Sequence, residues 1–466
     1  MPVFTSDQLA AWTGGRWTAR PAGPLLGFSS DTRQLKAGDG FIALKSERRD
    51  GQAFLAAAQA AGASAALVAR ADGTVALPQL VVADPLVAFQ AVAREHRRSF
   101  RGPVIGISGS AGKTSTKDLL SLLLGGPASS VVATEDNLNN HLGVPLTLTR
   151  IDPVRHGFAV IEAGISAPGE MAPLAEMIEP DVAVTTLIAP AHTAALGGLD
   201  GVAREKALLA AATRVGGVAI FTRETAAMAP FRQLAGKTLV VARTEALGTV
   251  EKSPGLVYFT LSQRPTETRL VLGYEEAAPV SYNFRRVSDG QACNAALAIC
   301  ASLWLGVKAV DIQERLGGWK AGKLRGEIRE EAGRRLYLDC YNANPASMAD
   351  ALAAFTECVP EADARLYVLG GMEELGAGAE AYHRALGGSI ALREADRAFV
   401  IGDHAPAVCA GLLERSGGAA QVHVVSSLAP VAAAVANWRG AVFVKGSRRF
   451  QLEQILAGQV ARPSLC

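Results

Sequence analysis

Residues Gly106–Leu120 read GISGSAGKTSTKDLL, and their types and spacing suit the holding of a polyphosphate. Gly109 and Gly112 let the backbone turn its N–H groups inward, and a helix starting at the end of the loop adds positive potential. Lys113 would reach the β and γ phosphates and Thr114 would ligate Mg²⁺, with Ser110 and Ser115 as further nucleotide contacts. The general G-x-x-x-x-G-K-S/T spacing would place its first glycine at Ile107, so this loop is shorter than usual. The plain alternative is a glycine turn beside an incidental lysine. The flanks favour the first reading. PVIGIS is a strand, and TSTKDLLSLLL is a helix with Leu119, Leu120 and Leu123 on one face.

The elements that must position this loop fall into three blocks. AFLAAAQAAGASAALVA (Ala53–Ala69) reads as helix, glycine stop and strand, so the first block, 1–84, is a small α/β unit. The second, 85–316, opens with the helix PLVAFQAVAREHRRSF. It then alternates helical stretches with the apolar runs PVIGIS, GFAVIEAG, PDVAVTTLIA and GGVAIFT, which predicts a parallel sheet covered on both faces. The third, 317–466, carries RLYLDCYNANP, RLYVLGG, RAFVIGD, QVHVVSS and AVFVKGS. Each is a strand ending in Gly, Asp or Ser, where open α/β sheets bind ligands. The fold class is therefore α/β in three domains: a small N-terminal one, a central one with the phosphate loop on a parallel sheet, and a Rossmann-like C-terminal one.

Composition bounds the rest. With 466 residues, 49% hydrophobic and 19% charged, the chain is a packed multidomain protein rather than a disordered one. A net charge of +2 without a long basic run gives no reason to expect nucleic acid or an anionic membrane as partner. The cysteines (Cys293, Cys300, Cys340, Cys358, Cys409, Cys466) form no C-x-x-C pair, which argues for a reducing cytoplasm and against a disulfide framework or zinc cluster. The start lacks a basic, then apolar, leader, and Val182–Leu199, a long charge-free segment, carries Thr, Pro, His and Gly, so no membrane insertion is expected. Internal repeats and low-complexity tracts are absent.

The short loop resembles that of the Mur ligases and folylpolyglutamate synthetases. TEDNLNNHLGVPLTL, AVIEAG with PGEM, YNANPASM, VLGGMEELG and VKGSR follow in the Mur order, and FSSDTRQLKAGDGFIALKSERRDGQAF matches the family's first domain. Across nearly the whole chain the sequence is similar to the Mur ligase family, and YNANP points to the branch that adds D-alanyl-D-alanine to UDP-N-acetylmuramoyl-tripeptide. That resemblance implies an ATP- and Mg²⁺-dependent amide ligase working through an acyl phosphate in cytoplasmic peptidoglycan precursor synthesis, as a monomer. Its partners would be those two small molecules.

The resemblance also implies roles. Glu162, at the end of a strand, is a Mg²⁺ ligand together with Thr114, and His192 in APAHTAALG is the metal-site histidine. Lys206 in GVAREKALLAA is the lysine these ligases carbamylate, which requires a depressed pKa. Lys113, Lys206, His192 and Glu162 form the expected catalytic set. Asn137, Asn139 and Asn140 lie beside substrate phosphate and carboxylate. Arg325, with Lys323 as a nearby competitor, reaches the ATP phosphates, and Asp339 meets the ribose. Asn342, Asn344, Lys445 and Ser447 face the dipeptide or ATP, and Ser30, Asp31, Thr32 and Arg33 meet the UDP-sugar. Without the family pattern the plain readings are a solvated carboxylate for Glu162, a structural histidine, a surface lysine, asparagine turns, and an Asx turn beside a surface arginine for Asp31 and Arg33.

Several positions depart from the family: Ala111, Leu187, Leu208, Gly371 and Cys340 replace its usual Asn, Asn, Glu, Asp and Ser. DGQACNAALAI keeps only Asn294 of the adenine-side motif, with Gln291 at the earlier asparagine. Another acceptor amine, or a catalytically silent nucleotide-binding relative, are the competing readings. Because the expected site is divided between domains, catalysis requires closure. In the absence of ligand, Arg325 is expected to lie far from Lys113.

Overall fold

A computed structural model describes residues 2–125, 130–247, 253–274, 277–331, 333–416 and 421–456; Cys466 lies outside them. The first domain holds β1 (Arg16–Trp17), β2 (Phe28–Ser29), β3 (Gly40–Ile42), β4 (Ala65–Val68) and β5 (Gln79–Val81), in the order β1-β5-β4-β3-β2. The second holds β6 (Val104–Ser108), β7 (Val131–Ala133), β8 (Phe158–Glu162), β9 (Val182–Thr185), β10 (Val218–Thr222), β11 (Thr238–Arg243), β12 (Leu256–Gln263), β13 (Glu267–Tyr274) and β14 (Val280–Arg285). Their order is β14-β13-β12-β11-β10-β9-β6-β8-β7. The third holds β15 (Glu327–Glu331), β16 (Arg334–Leu338), β17 (Arg365–Gly370), β18 (Arg397–Ile401), β19 (Val422–Val424) and β20 (Gly440–Lys445), ordered β15-β16-β20-β17-β18-β19. The breaks between sheets fall between Val81 and Val104 and between Arg285 and Glu327.

Strand periodicity explains how the central sheet buries both faces. Ile105 and Ile107 of β6 pack with Leu119, Leu120 and Leu123 of the helix Lys113–Leu123 and with Ala292, Ala295 and Ile299 of the helix Asp289–Trp304. Val104, one position out of phase, packs on the other face with Ala93, Leu174 and Val202, from the helices Pro85–Ser99, Met171–Ile178 and Leu199–Ala211. The helix Pro85–Ser99 serves two cores. Ala88, Phe89 and Val92 join the first domain, while Ala93 joins the second. Asp84 caps its start by accepting from Leu86 and Val87 N–H.

One expectation needs correction. The central sheet is not wholly parallel: β12–β13 and β13–β14 pair antiparallel. In β13, Thr268, Leu270 and Leu272 are buried while Arg269 is exposed and Glu267, Val271 and Gly273 are half-buried, the alternation of a sheet covered on one face. Its polar half, ETR, hides the strand from a search for apolar runs.

The third domain docks through the helix Pro345–Cys358. Asn344 caps it by accepting from Ser347 N–H and also donates from Nδ2 to the Ser110 carbonyl of the phosphate loop (3.2 Å). Further along, Asp350 meets Ser288 and Gly290, and Glu357 meets Arg286. Contacts at positions 344, 350 and 357 recur about every two turns, so one helix face lies along the second domain over about 20 Å. Among the described residues no helix is long and apolar enough to cross a membrane.

Candidate active site between the second and third domains

The loop after β6 is shaped by two glycines in conformations other residues avoid. Gly109 has φ 146° and a Cβ there would sit 1.9 Å from Thr186 Oγ1; Gly112 has φ 82° and a Cβ would sit 2.2 Å from Asn294 Nδ2. Thr186 braces the loop by donating to the Ala111 carbonyl (2.6 Å), and Ser110 Oγ donates to the Ala189 carbonyl (2.8 Å). Lys113 follows as the first residue of its helix, its Nζ donating to the Gly109 carbonyl at 2.9 Å. Burial first and the Arg325 charge second push the Lys113 amine below the usual lysine range, against the pull of Glu162.

Thr114 Oγ1 donates to Glu162 Oε2 (2.9 Å), and Asn139 Nδ2 donates to Glu162 Oε1 (2.8 Å). The strand end, the helix start and the asparagine loop therefore meet at one carboxylate. Lys206 is buried within electrostatic reach of both Lys113 and Glu162, and among the described residues its Nζ has neither a hydrogen bond nor an ion pair. Burial, then the Lys113 charge, drive its amine well below the usual lysine range, although Glu162 and Glu205 oppose this.

The third domain closes the site. A cavity of about 360 Å³ is lined by Lys113, Thr114 and Glu162 from one side and by Arg325, Asp339 and Lys445 from the other. Arg325 holds its guanidinium 3.9 Å over the Tyr341 ring. Lys445, buried, pairs with Asp339 Oδ2 at 2.6 Å and donates to the Asn342 carbonyl at 3.2 Å. Ser110, Ser115, Asn137, Asn139, Asn294, Asn342 and Asn344 also line the cavity. Arg325 and Lys113 line one cavity, in contrast to the expectation that they lie far apart. Hydrogen bonds such as Asn344 to Ser110 and Asp350 to Gly290 already hold the two domains together.

Other expected residues are placed elsewhere. His192, in the left-handed region at φ 54°, pairs through Nδ1 with Glu374 of the third domain and does not line the cavity, so it is not brought to Thr114 and Glu162. Asn140 accepts from Leu142 and Gly143 N–H and so serves the start of a helix. Ser447 is buried and accepts from Glu373 N–H. Ser30, Asp31, Thr32 and Arg33 follow β2 in the first domain, away from the cavity. There Asp31 accepts from the Arg33 backbone and pairs with its guanidinium (2.7 Å), which is the Asx-turn reading; the Arg33 hydrogen bond is the largest influence holding the Asp31 carboxyl low. Asp136, Thr186, Tyr341 and Asp350 line the cavity without having been singled out. Tyr341 sits inside YNANP and Asp136 beside Asn137, so proximity to a motif was the available signal; Asp350 offered none.

The donor set fits a nucleotide and a hard cation. The loop leaves no room for side chains at Gly109 and Gly112, and Thr114 and Glu162 present oxygens side by side. Among the described residues no group of three or more His, Cys, Asp or Glu could hold a metal.

Residues 107–302 match the Mur ligase middle domain and residues 324–448 the Mur ligase, glutamate ligase domain. The UDP-N-acetylmuramoyl-tripeptide–D-alanyl-D-alanine ligase of Bacillus subtilis is 31% identical over 446 residues, covering 94% of this chain and 93% of the relative. The chain belongs to the Mur ligase family. The Escherichia coli ligase of the same description is also 31% identical, with 92% of each chain covered. A crystal structure of MurF from Acinetobacter baumannii superposes on this Mur ligase with a TM-score of 0.86, at 28% identity and 98% coverage of both chains. MurF ligase from Thermotoga maritima in complex with ADP shares the fold, with a TM-score of 0.77 at 24% identity, covering 92% of this chain and 96% of that one.

Proposed function

We propose that this Mur ligase joins D-alanyl-D-alanine to UDP-N-acetylmuramoyl-tripeptide in the cytoplasm at the expense of ATP. The tripeptide carboxylate takes the γ-phosphoryl group, the dipeptide amine displaces phosphate from that acyl phosphate, and an amide forms. The observation that carries the reading is the shared cavity, in which the phosphate loop and Glu162 face Arg325, Asp339 and Lys445. Coverage of more than nine-tenths of the Bacillus subtilis and Escherichia coli ligases supports the choice of substrates. Because one chain supplies both walls, a monomer suffices.

Each residue acts through charge and position. The loop N–H groups and Lys113 hold the transferring phosphates, and Arg325 offsets charge from the opposite domain. Thr114 and Glu162 would hold Mg²⁺, which when bound supplies neutralisation of phosphate charge. Asp339, fixed by Lys445, is the ribose contact. Asn137 and Asn139 orient the carboxylate, while Asn342 and Asn344 flank the amine's approach. In the first domain Ser30, Asp31, Thr32 and Arg33 form the UDP-sugar strip. Burial and the Lys113 charge favour the neutral form of the Lys206 amine, the form that adds CO₂ to give a carbamate and a proton, which would turn a neutral group into an anion beside the metal-binding carboxylate. His192 is left out of the metal set, because it does not line the cavity that Thr114 and Glu162 share. Incubation with ATP, Mg²⁺ and UDP-linked tripeptide, with product mass read after adding either D-alanyl-D-alanine or single amino acids, tests the substrate choice. Only the dipeptide should add; a product carrying a single amino acid would overturn it.

A further inference from the structure

The segment joining the second and third domains carries Arg325 between two left-handed residues, Leu324 at φ 58° and Gly326 at φ 69°. A non-glycine residue in that region is held there by its surroundings. The surroundings are a continuous run of hydrogen bonds. Gln291 Nε2 donates to the Arg325 carbonyl at 3.0 Å, and Gln291 N–H donates to Ser288 Oγ at 3.1 Å. Ser288 Oγ in turn donates to Asp350 Oδ2 at 2.6 Å, and Gly290 N–H donates to Asp350 Oδ1 at 2.8 Å. The path runs from a third-domain helix, through the capped start of the second-domain helix Asp289–Trp304, to the arginine that enters the cavity. Gly290 makes it possible: a Cβ there would lie 2.7 Å from Asp350 Oδ2.

We propose that Asp350 is a positioning residue for the ligase reaction: by clasping Ser288 and Gly290 it docks the third domain and, through Gln291, sets Arg325 in the cavity. The proposal rests on the ligase reading for its kinetics and on the geometry alone for its effect on shape. Asp350 sets its half-buried carboxylate against a helix start; burial raises the carboxyl above the usual range, and the hydrogen bonds from Ser288 and Gly290 pull it back down. Docking of the domain and delivery of Arg325 are thereby one event, because the same turn of helix grips both.

Asp350→Ala should lower kcat/KM for ATP about tenfold while leaving KM for the UDP-linked substrate within twofold. In an Arg325→Ala background the same change should add less than twofold, since Asp350 acts through that arginine. Asp350→Asn should recover most of the activity, because its side-chain oxygen still accepts from Gly290. Gly290→Ala favours the helix intrinsically, yet should reproduce the loss by displacing Asp350, and should cost nothing more once residue 350 is alanine. Small-angle scattering of the free Asp350→Ala protein should shift to a larger radius. Wild-type kcat/KM in Asp350→Ala, or a full tenfold loss added to Arg325→Ala, would overturn the proposal. So would a radius equal to wild type, a result that needs no substrate and therefore judges the clasp even if wild-type protein joins nothing, which would strike the ligase reading alone.

Discussion

Lys113 and Lys206 are two lysines of one site held at opposite duties. Lys113 needs its charge, since its place in the loop is opposite the phosphates, and it contributes nothing to the apolar face of its helix. Lys113→Ala should therefore abolish product formation at an unchanged melting temperature; turnover near wild type would refute the phosphate-loop assignment. Lys206 should instead favour its neutral form, since burial and Lys113 both disfavour the charged one. Lys206→Ala should be nearly inactive and partly rescued by a short carboxylic acid, and bicarbonate should raise wild-type activity in CO₂-depleted buffer. Intact mass showing an unmodified amine in fully active enzyme would contradict the carbamate.

At the scale of elements, the phosphate loop is the least forgiving piece of backbone. Gly109→Ala would place a methyl 1.9 Å from Thr186 Oγ1 at φ 146°, so we expect loss of nucleotide binding and a destabilisation of about 1–3 kcal/mol in chemical unfolding. Binding and stability both at wild-type values would contradict it. The loop and its strand and helix were legible in the sequence because β6 is apolar up to its final Ser108 and Gly-Lys-Thr marks the start of the following helix. So were β8 to β10, each a short apolar run. The β12–β14 meander was not, because half its residues face outward and its periodicity is diluted by polar positions. Asn139 and Asn140 show the same limit at a site: neighbours of one type, yet one bonds Glu162 and the other accepts from N–H groups at the start of a helix. His192 was assigned by its motif, which carries no information about Glu374, 182 residues away in sequence.

For the whole molecule, pH should act on stability before it acts on fold. Burial first holds His96 and His383 below the usual histidine range, with bonds to the Ile151 and Ala379 carbonyls pulling the other way. The unfolded chain takes up protons at about 6.5, ahead of the folded one, so their stabilisation is complete above that pH and is lost as pH falls through the lowered folded values. The melting temperature should fall between pH 7 and pH 5.5; a rise over that window would contradict the sign. The three-domain architecture was readable from the order of motifs, but the docked arrangement was not, because it depends on side chains such as Asn344 and Asp350 finding partners more than 50 residues away. The central claim is that the cavity between the second and third domains couples ATP cleavage to amide formation. Phosphate release by wild-type enzyme should therefore require UDP-N-acetylmuramoyl-tripeptide and D-alanyl-D-alanine together, one phosphate per amide formed, and should be lost in Lys113→Ala and strongly reduced, but still measurable, in Arg325→Ala. Phosphate release that ignores the dipeptide, amide formation that survives loss of Lys113, or wild-type rates in Arg325→Ala would contradict it.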